Sequence, residues 1–514
     1  MRVYSRRPLW GLGLLSVTAM LAVSAPRAQA APLKGGTMRV GILADIVNYD
    51  PQQLSSQNFA IIKDLYDSLI EYTPTGEPVP SLASAWTIAP DKKSVTLTLR
   101  SDAHFLDGTP LAAADVAATL TKADDPKRGK NIYPTMSIVA GWTVNGPHSI
   151  TISFKTPVPD REITDLLQSI AVIEANGIAT VDTKPAGIGP YHVAHRVVGQ
   201  SIRLEANPGY WRKGEPVSKE VLLKIFSEDA AATASLQSGG VDLVYGGTSR
   251  SAARLSHLGY QVIRGPGALV QVFRINPNRG PFRNEKFREA FNYLMNRQAI
   301  LAIGYAGMGE VVSLPWAPSS PAFDASYTKK YAFNLAKAEA LLKESGLTPA
   351  QMSDWKLLVD GSDQPSVAIS QIVQSTLAQV GIKIQLDLQQ GSQFVDNLLG
   401  GKFDAVFGGV GNVQKFPSRL DTNSIYRTVN NVILGSPNPF PAYVAAINRI
   451  NTTLGPESAI KAAYANLNHV LVTTAFGIPT NTYNVGLIVA NKNVGGFTVD
   501  IDDMLVARTL GFRN

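Results

Sequence analysis

The sequence predicts a mixed α/β protein with more than one domain. Its 514 residues exceed the roughly 250 to 300 at which a single hydrophobic core stops growing. Hydrophobic residues make up 45% of the chain and charged residues 17%, which is typical of a soluble, packed protein. From residue 270 onward, amphipathic helical segments alternate with short strand-like segments, as they do in layered α/β folds.

The first 30 residues have the pattern of an export signal. A basic head containing Arg6 and Arg7 precedes an uncharged apolar stretch at 9–25, and the small-x-small sequence of a signal-peptidase site ends at Ala30. The apolar stretch is shorter than the roughly 20 residues that span a bilayer. We therefore expect cleavage after Ala30 and export to the periplasm. The paired arginines leave both the general secretory and the twin-arginine route open.

Charge and cysteine content exclude several classes of protein. The signal carries four arginines and no acidic residue, so its removal lowers the formal net charge from +7 to +3. The remaining chain has no dense Lys/Arg patch with interleaved aromatic residues, so nucleic acid is not an expected partner. Cysteine is absent, which excludes disulfides, thiolate metal sites, a cysteine nucleophile and a lipid anchor on an N-terminal cysteine.

Apolar periodicity predicts the elements of the first half. The segment KGGTMRVGI predicts a first strand, and SVTLTLR at 94–100 predicts a half-buried strand. A hairpin at TVNGPHSITISF is expected to turn at Asn145-Gly146. Segment 58–72 predicts a helix whose apolar face is formed by Ile61, Ile62, Leu65 and Leu69.

Helices are indicated more strongly after residue 270. Asn284, Asn296 and Asn334 each precede an amphipathic segment and are predicted N-caps, because their side chains can accept hydrogen bonds from unpaired first-turn amides. Strands are predicted at 355–360 and 382–388, each after a helical segment.

The sequence lacks the common catalytic motifs. It contains no G-x-S-x-G elbow, no H-E-x-x-H zinc helix and no G-x-x-x-x-G-K-[ST] phosphate loop. His192 and His195 lie three apart on a strand-like segment and are expected to point to opposite faces, which argues against a shared metal. We expect no metal, no cofactor and no catalytic residue, although a triad assembled from distant positions stays open.

Six segments occur in an order that resembles a known family. They are LYDSL, FLDGTPLAAADV, GIGPY, NPGYW, VDLV and PFRNEKFREAFNYLMNRQAI. Their order and spacing are similar to those of the family 5 extracellular solute-binding proteins, the dipeptide-, oligopeptide- and nickel-binding receptors of ABC importers. The resemblance extends from about residue 35 to the C-terminus, through FDAVF at 403–407, GIPT at 477–480 and VGGF at 494–497.

The resemblance implies a two-lobed periplasmic-binding-protein type II fold with an extra domain inserted in the first lobe. The implied first lobe comprises 31–75, 186–268 and 478–514, the extra domain 76–185 and the second lobe 269–477. A small-molecule solute is then enclosed in the cleft between the lobes. The closed form is expected to be a monomer that docks on the permease subunits of an ABC importer in the inner membrane.

Position in the implied fold assigns candidate solute contacts. They lie in the loop after the first strand, in the proline-rich loop LPWAPSSP and after FDAVF: Ser55, Gln57, Asn58, Trp316, Asn412, Gln414 and Arg427. Core packing is the alternative role for Trp316, because tryptophan is mostly buried. Arg427 is a candidate for bidentate binding of an anionic group.

One departure from the family pattern bears on the solute. Peptide-binding relatives usually carry a tryptophan and then an acidic residue after this strand, and the acid neutralises the terminal ammonium of the peptide. Here Gly409 stands in the tryptophan position and Asn412 in the acidic position. A buried ammonium without a counter-charge is costly, so free amino termini are disfavoured unless Asp45 or Asp421 supplies the charge.

These expectations leave three functions. The first is a periplasmic receptor of an ABC importer that captures a peptide-like or other polar organic solute. Within the same class, the solute could instead be a metal chelate, an opine or a sugar conjugate. A periplasmic hydrolase is the alternative from another class, and the missing nucleophile and metal motifs argue against it.

Overall fold

The computed structural model describes most of the chain after the predicted signal. The described residues are 33–53, 56–265, 269–410, 417–422, 426–427 and 439–513. Three predicted solute contacts, Ser55, Asn412 and Gln414, lie outside them. The described residues belong to one compact unit. None of their helices combines the length and the apolar character that crossing a membrane requires.

The strands form three large sheets and two short pairs. The first sheet has the order β12-β18-β11-β1-β10-β9-β8, the second β15-β14-β16-β13-β17 and the third β4-β5-β7-β6, while β2-β3 and β19-β20 are the pairs. In chain order the strands are β1 (Thr37–Ile42), β2 (Ile70–Tyr72), β3 (Pro78–Pro80), β4 (Ala83–Ile88), β5 (Ser94–Leu99), β6 (Val139–Gly146), β7 (Ser149–Phe154), β8 (Tyr191–Val197), β9 (Ser201–Ala206), β10 (Glu220–Ile225), β11 (Leu243–Tyr245), β12 (Gln261–Ile263), β13 (Leu269–Ile275), β14 (Lys356–Asp360), β15 (Gln385–Gln389), β16 (Ala405–Val410), β17 (Gly477–Tyr483), β18 (Ile488–Ala490), β19 (Val494–Gly495) and β20 (Gly511–Phe512).

Asparagine side chains cap the first turns of three helices. Asn284, Asn296 and Asn334 each accept a hydrogen bond from the amide three residues later, at 2.9 to 3.1 Å, so the three predicted N-caps are confirmed. In chain order the helices are α1 (Ile62–Leu65), α2 (Ala113–Ala123), α3 (Asp160–Ser169), α4 (Asp229–Gln237), α5 (Ser249–His257), α6 (Glu285–Leu294), α7 (Arg297–Tyr305), α8 (Leu335–Glu344), α9 (Pro349–Ser353), α10 (Gln364–Gln379), α11 (Gly391–Leu399), α12 (Pro441–Thr452) and α13 (Glu457–Thr474).

The segment 58–72 differs from its predicted structure. Only four of its residues form a helix, α1, and the chain is extended from Tyr66. Ile61, Ile62 and Leu65 pack in the core of the first sheet, whereas Leu69 packs in the core of the third. The apolar residues therefore serve two cores, and their helical spacing does not reflect one continuous helix.

The predicted hairpin turns two residues later than expected. β6 continues through Gly146, and the turn is Pro147-His148 before β7 begins at Ser149. Proline supplies the fixed φ that the second position of a tight turn requires, so it determines the turn. Asn145 instead stays in the strand and donates from Nδ2 to Thr151 Oγ1 at 2.8 Å.

The chain passes between the first and second sheets twice. The first crossing, 264–268, runs from the end of β12 to the start of β13, and the second, 484–487, runs from β17 back to β18. In the first sheet β1 is parallel to β10 and β11, and in the second β14 is parallel to β15 and β16. Each of these sheets therefore has one edge at which the parallel strands end together.

Candidate functional site

The parallel strands of the first sheet end in register with the crossings. Ile42 pairs with Ile225 and with Tyr245, and Ile488 pairs with Tyr245 and with Ile263. These five residues form one row at the carboxyl edge of the sheet. Ligands of open α/β sheets bind outside this edge.

The second sheet presents the same kind of edge. Leu269, where the first crossing arrives, pairs with Tyr483, where the second departs, and Val270 pairs with Val410 at the end of β16. A connection of five or six peptide units spans at most about 20 Å. The two carboxyl edges therefore face each other across a cleft, and this interlobe cleft is the candidate site.

Asn484 joins the two crossings to one another and to Asp503. Asn484 Nδ2 donates to Asp503 Oδ2 at 3.2 Å and to the Gly265 carbonyl at 3.1 Å, and the Val485 amide donates to Asp503 Oδ2 at 3.2 Å. Asp503 is fully buried, with a left-handed φ of 61°. A Cβ at Gly265 would lie 2.0 Å from Asp503 Oδ1, and one at Gly486 would lie 1.9 Å from its carbonyl oxygen. Both crossings therefore need glycine where they pass over Asp503.

The loop after β1 follows the carboxyl edge of the first sheet. Asn58 is fully buried, and its Oδ1 accepts from the Val47 amide at 3.0 Å. It shapes the loop from within, whereas Gln57 is exposed. Asp45 pairs with Arg196 at 3.0 Å, so this carboxylate already has a counter-charge.

Trp316 lies in the core of the second sheet. Its side chain has no exposed surface, and its indole Nε1 donates to Asn468 Oδ1 at 2.6 Å. Asn468 Nδ2 in turn donates to the Ala322 carbonyl at 2.8 Å, which completes a buried network. A side chain without accessible surface cannot touch a solute in this conformation, so the structure supports the packing role and not the binding role.

Gly409 lies beside the cleft, one residue before the edge residue Val410. A Cβ at Gly409 would touch Tyr483 Oη at 3.5 Å, which is ordinary van der Waals contact, so the tyrosine limits the space for anything larger. Arg427 is exposed, and its binding role stays a prediction.

A polar cluster on the second sheet was missed at the sequence level. Arg274 lies on β13, half-buried, and its Nη2 donates to the carbonyl of Gly409. Tyr426 and Tyr483 interact with it electrostatically. Burial lowers the pKa of the Arg274 guanidinium and raises the pKa of both tyrosines. The available indication was a charged residue inside the otherwise uncharged and largely apolar strand LVQVFRI.

The two neighbouring histidines share a face, contrary to expectation. His192 pairs with Glu205 and His195 with Arg203, because a β-bulge between them adds one residue to β8. Among the described residues, no group of three or more His, Cys, Asp and Glu side chains is arranged to hold a metal ion.

A cavity of about 570 Å³ is lined by none of the edge residues described above. Residues near the third sheet line one side and the α12–α13 region lines the other, including Tyr72, Arg161, Leu454, Glu457 and Tyr464. None of its lining residues belongs to the carboxyl edges of the first or second sheet.

Two sheets with facing carboxyl edges, two crossings and a third sheet define the periplasmic-binding-protein type II fold. The fold matches NikA from Brucella suis in complex with Fe(III)-EDTA, at 22% identity and a TM-score of 0.80 over 92% of this chain and 98% of that chain. It also matches AgaA from A. tumefaciens R10 in complex with agropinic acid, at 21% identity and a TM-score of 0.78 over 93% and 99% of the two chains.

Sequence comparison identifies the particular family. The model of the bacterial extracellular solute-binding proteins, family 5 Middle, matches residues 77–424. The glutathione-binding protein GsiB of Salmonella typhi is 27% identical over 352 residues, which cover 67% of each chain. The chain belongs to family 5 of the bacterial extracellular solute-binding proteins, the solute-binding components of ABC importers, and the resemblance found in the sequence is confirmed.

Proposed function

We propose that this protein is a periplasmic receptor that captures a polar organic solute in its interlobe cleft and delivers it to the permease subunits of an ABC importer. The observation that carries the proposal is the pair of facing carboxyl edges joined by two crossings. The protein acts by binding alone, as a monomer, after export and cleavage at Ala30. Its proposed domain limits are those given by the resemblance, with 76–185 as the extra domain.

Closure of the two lobes signals to the permease that a solute is bound. A solute that touches both lobes binds the closed conformation more tightly than the open one, and this difference in affinity shifts the population towards closure. The Asn484 side chain bonds both to Gly265 in the first crossing and to Asp503, so the crossings move as one hinge and the lobes rotate as rigid bodies.

The relatives support a polar organic solute without selecting one. GsiB is named as a glutathione-binding protein, and the NikA and AgaA structures are complexes with Fe(III)-EDTA and agropinic acid. A peptide-like solute is the first candidate, and a chelate, an opine or a sugar conjugate is the alternative within the class. Ser55, Gln57, Asn412, Gln414 and Arg427 remain proposed contacts.

Mass spectrometry of small molecules released by denaturing the freshly purified protein tests the proposal. We expect one organic compound in stoichiometric amount, and small-angle scattering should show compaction when that compound is returned to the emptied protein. Catalytic turnover of the released compound, or of a hydrolysable substrate panel, would instead favour the hydrolase. A scattering profile that no compound changes would refute capture by closure.

A further inference from the structure

We propose that the captured solute carries a carboxylate group, and that Arg274 binds this group beside the carboxyl edge of the second sheet. The inference rests on the proposed function, because it assigns a chemical class to the solute of the same cleft.

Arg274 has no counter-charge among the described residues. Its one hydrogen bond to a described residue goes to the neutral carbonyl of Gly409, and its Nε is buried without a partner among the described residues. The described groups that interact electrostatically with its guanidinium are Tyr426 and Tyr483, and no described carboxylate is among them. The undescribed parts of the chain supply none either, because their sequences contain no Asp or Glu: 1–32, 54–55, 266–268, 411–416, 423–425, 428–438 and 514.

A partly buried cation without a counter-charge destabilises a fold. Arginine keeps its charge at neutral pH even where burial lowers the pKa of the guanidinium. Charged groups taken out of water are retained where they are paired, coordinate a ligand or serve a functional site. An anionic ligand is the partner that this position lacks.

The groups around Arg274 are hydrogen-bond donors. Tyr426 Oη is buried without a partner among the described residues. Burial raises the pKa of Tyr426 and of Tyr483, so both hydroxyls stay protonated at neutral pH. A guanidinium with two phenolic hydroxyls is a set that suits a carboxylate, because planar carboxylates accept hydrogen bonds bidentately from arginine.

Two glycines leave room for this cluster. Gly477 pairs with Arg274 across β17 and β13, and a Cβ at Gly477 would lie 2.1 Å from Tyr426 Oη. A Cβ at Gly408 would lie 3.4 Å from Arg274 Nη2. The absence of side chains at these positions allows the guanidinium and the hydroxyl to occupy the space above the sheet.

The guanidinium points towards the cleft. Arg274 is near the far end of β13, yet its Nη2 reaches Gly409, which pairs with Gln271 close to the edge. The charge at this corner is therefore positive, beside Gly409, which stands where the resemblance places a tryptophan in peptide receptors. This positive charge predicts attraction of a carboxylate and repulsion of an ammonium group.

The test uses the mature full-length protein, emptied of solute, and its variants Arg274→Gln, Arg274→Lys and Arg279→Gln. Arg279 is the matched control, because its side chain is half exposed and already has a carboxylate partner. Its Nη1 lies 3.9 Å from Asp404 Oδ1. Thermal shifts are measured with succinate, glutamate, glycyl amide, glucose and inorganic phosphate, and the compound released from the fresh protein is identified by mass spectrometry.

We expect the released compound to contain a carboxylate. Arg274→Gln should weaken its binding by about 30-fold or more, as expected for loss of one partner of a buried charged pair. Arg274→Lys should recover part of the affinity, and Arg279→Gln should bind as the wild type does. Because Arg274→Gln removes an unpaired charge, the empty variant should melt at the same or a higher temperature than the empty wild type.

The outcomes separate the inference from the proposed function. Release and closure with a neutral or cationic compound would overturn the carboxylate assignment and leave the receptor function intact. Shifts by phosphate without any by carboxylates would identify an inorganic anion and overturn it as well. No released compound and no closure with any probe would refute the proposed function itself. A lower melting temperature of Arg274→Gln with unchanged solute affinity would assign Arg274 a purely structural role.

Discussion

Asn484 donates from its side-chain amide to the Asp503 carboxylate at 3.2 Å, and this bond joins the second crossing to the C-terminal turn. The same amide also donates to the Gly265 carbonyl in the first crossing. One asparagine and one aspartate thus connect three chain segments that are far apart in sequence. This contact lies where the chain passes between the first and second sheets.

Replacement of Asp503 by alanine should destabilise the protein. The Val485 amide and the Asn484 side chain would lose their shared acceptor, and each buried donor left unsatisfied costs about 1 to 3 kcal/mol. We expect a loss of about 3 kcal/mol in urea unfolding. Asp503→Asn should lose less, because asparagine keeps one acceptor oxygen and tolerates the left-handed φ. Equal stabilities of the two variants would contradict the role assigned to the carboxylate.

Gly486→Ala should also destabilise the second crossing. The new Cβ would lie 1.9 Å from the Asp503 carbonyl oxygen, so the backbone must shift, at a cost of about 1 to 3 kcal/mol. Gly141→Ala is the control, because no atom lies within 4 Å of a Cβ at that position. Urea unfolding measures the stability of both variants. A Gly486→Ala protein as stable as the control would contradict the prediction, because it would show that the backbone of the crossing shifts without a measurable cost.

The sequence predicted the structure correctly where the structure depends on contacts between residues close together in the chain. The caps at Asn284, Asn296 and Asn334 depend on amides three residues away, and all three were predicted. The family and its two-lobed fold followed from the order of six short motifs. The segment 58–72 failed because its apolar residues are divided between two cores that periodicity alone cannot distinguish.

The site was less predictable because its contacts are long-range. Asp503 meets Gly265 and Asn484 only after the chain has crossed twice, so no local pattern marks it. Arg274 stood out only as a charge in an apolar strand. Trp316 was assigned to a proline-rich loop, and the buried Asn468 that binds its indole lies more than a hundred residues later.

Trp316→Phe separates packing from solute binding. The substitution removes the indole donor and leaves Asn468 Oδ1 buried without this partner, at a cost of about 1 to 3 kcal/mol. We expect a lower melting temperature and an unchanged affinity for the released solute. Loss of affinity at unchanged stability would restore the binding role predicted from the sequence.

The contribution of Asp64 to the free energy of unfolding should fall as the pH rises from about 4 to about 8. Burial raises the pKa of Asp64 to about 8, whereas in the unfolded chain it is near 3.9. The folded state therefore holds a proton that the unfolded state releases in this window, so each pH unit removes up to about 1.4 kcal/mol through this group.

Asp64 Oδ1 accepts from the Ala507 amide at 2.9 Å, and Asp64→Asn keeps that acceptor while remaining neutral. We expect urea unfolding at pH 5 and pH 8 to differ less in this variant than in the wild type. An Asp91→Asn control, at an exposed position, should keep the full wild-type difference. If Asp64→Asn keeps it too, the ionisation of Asp64 does not govern the pH dependence.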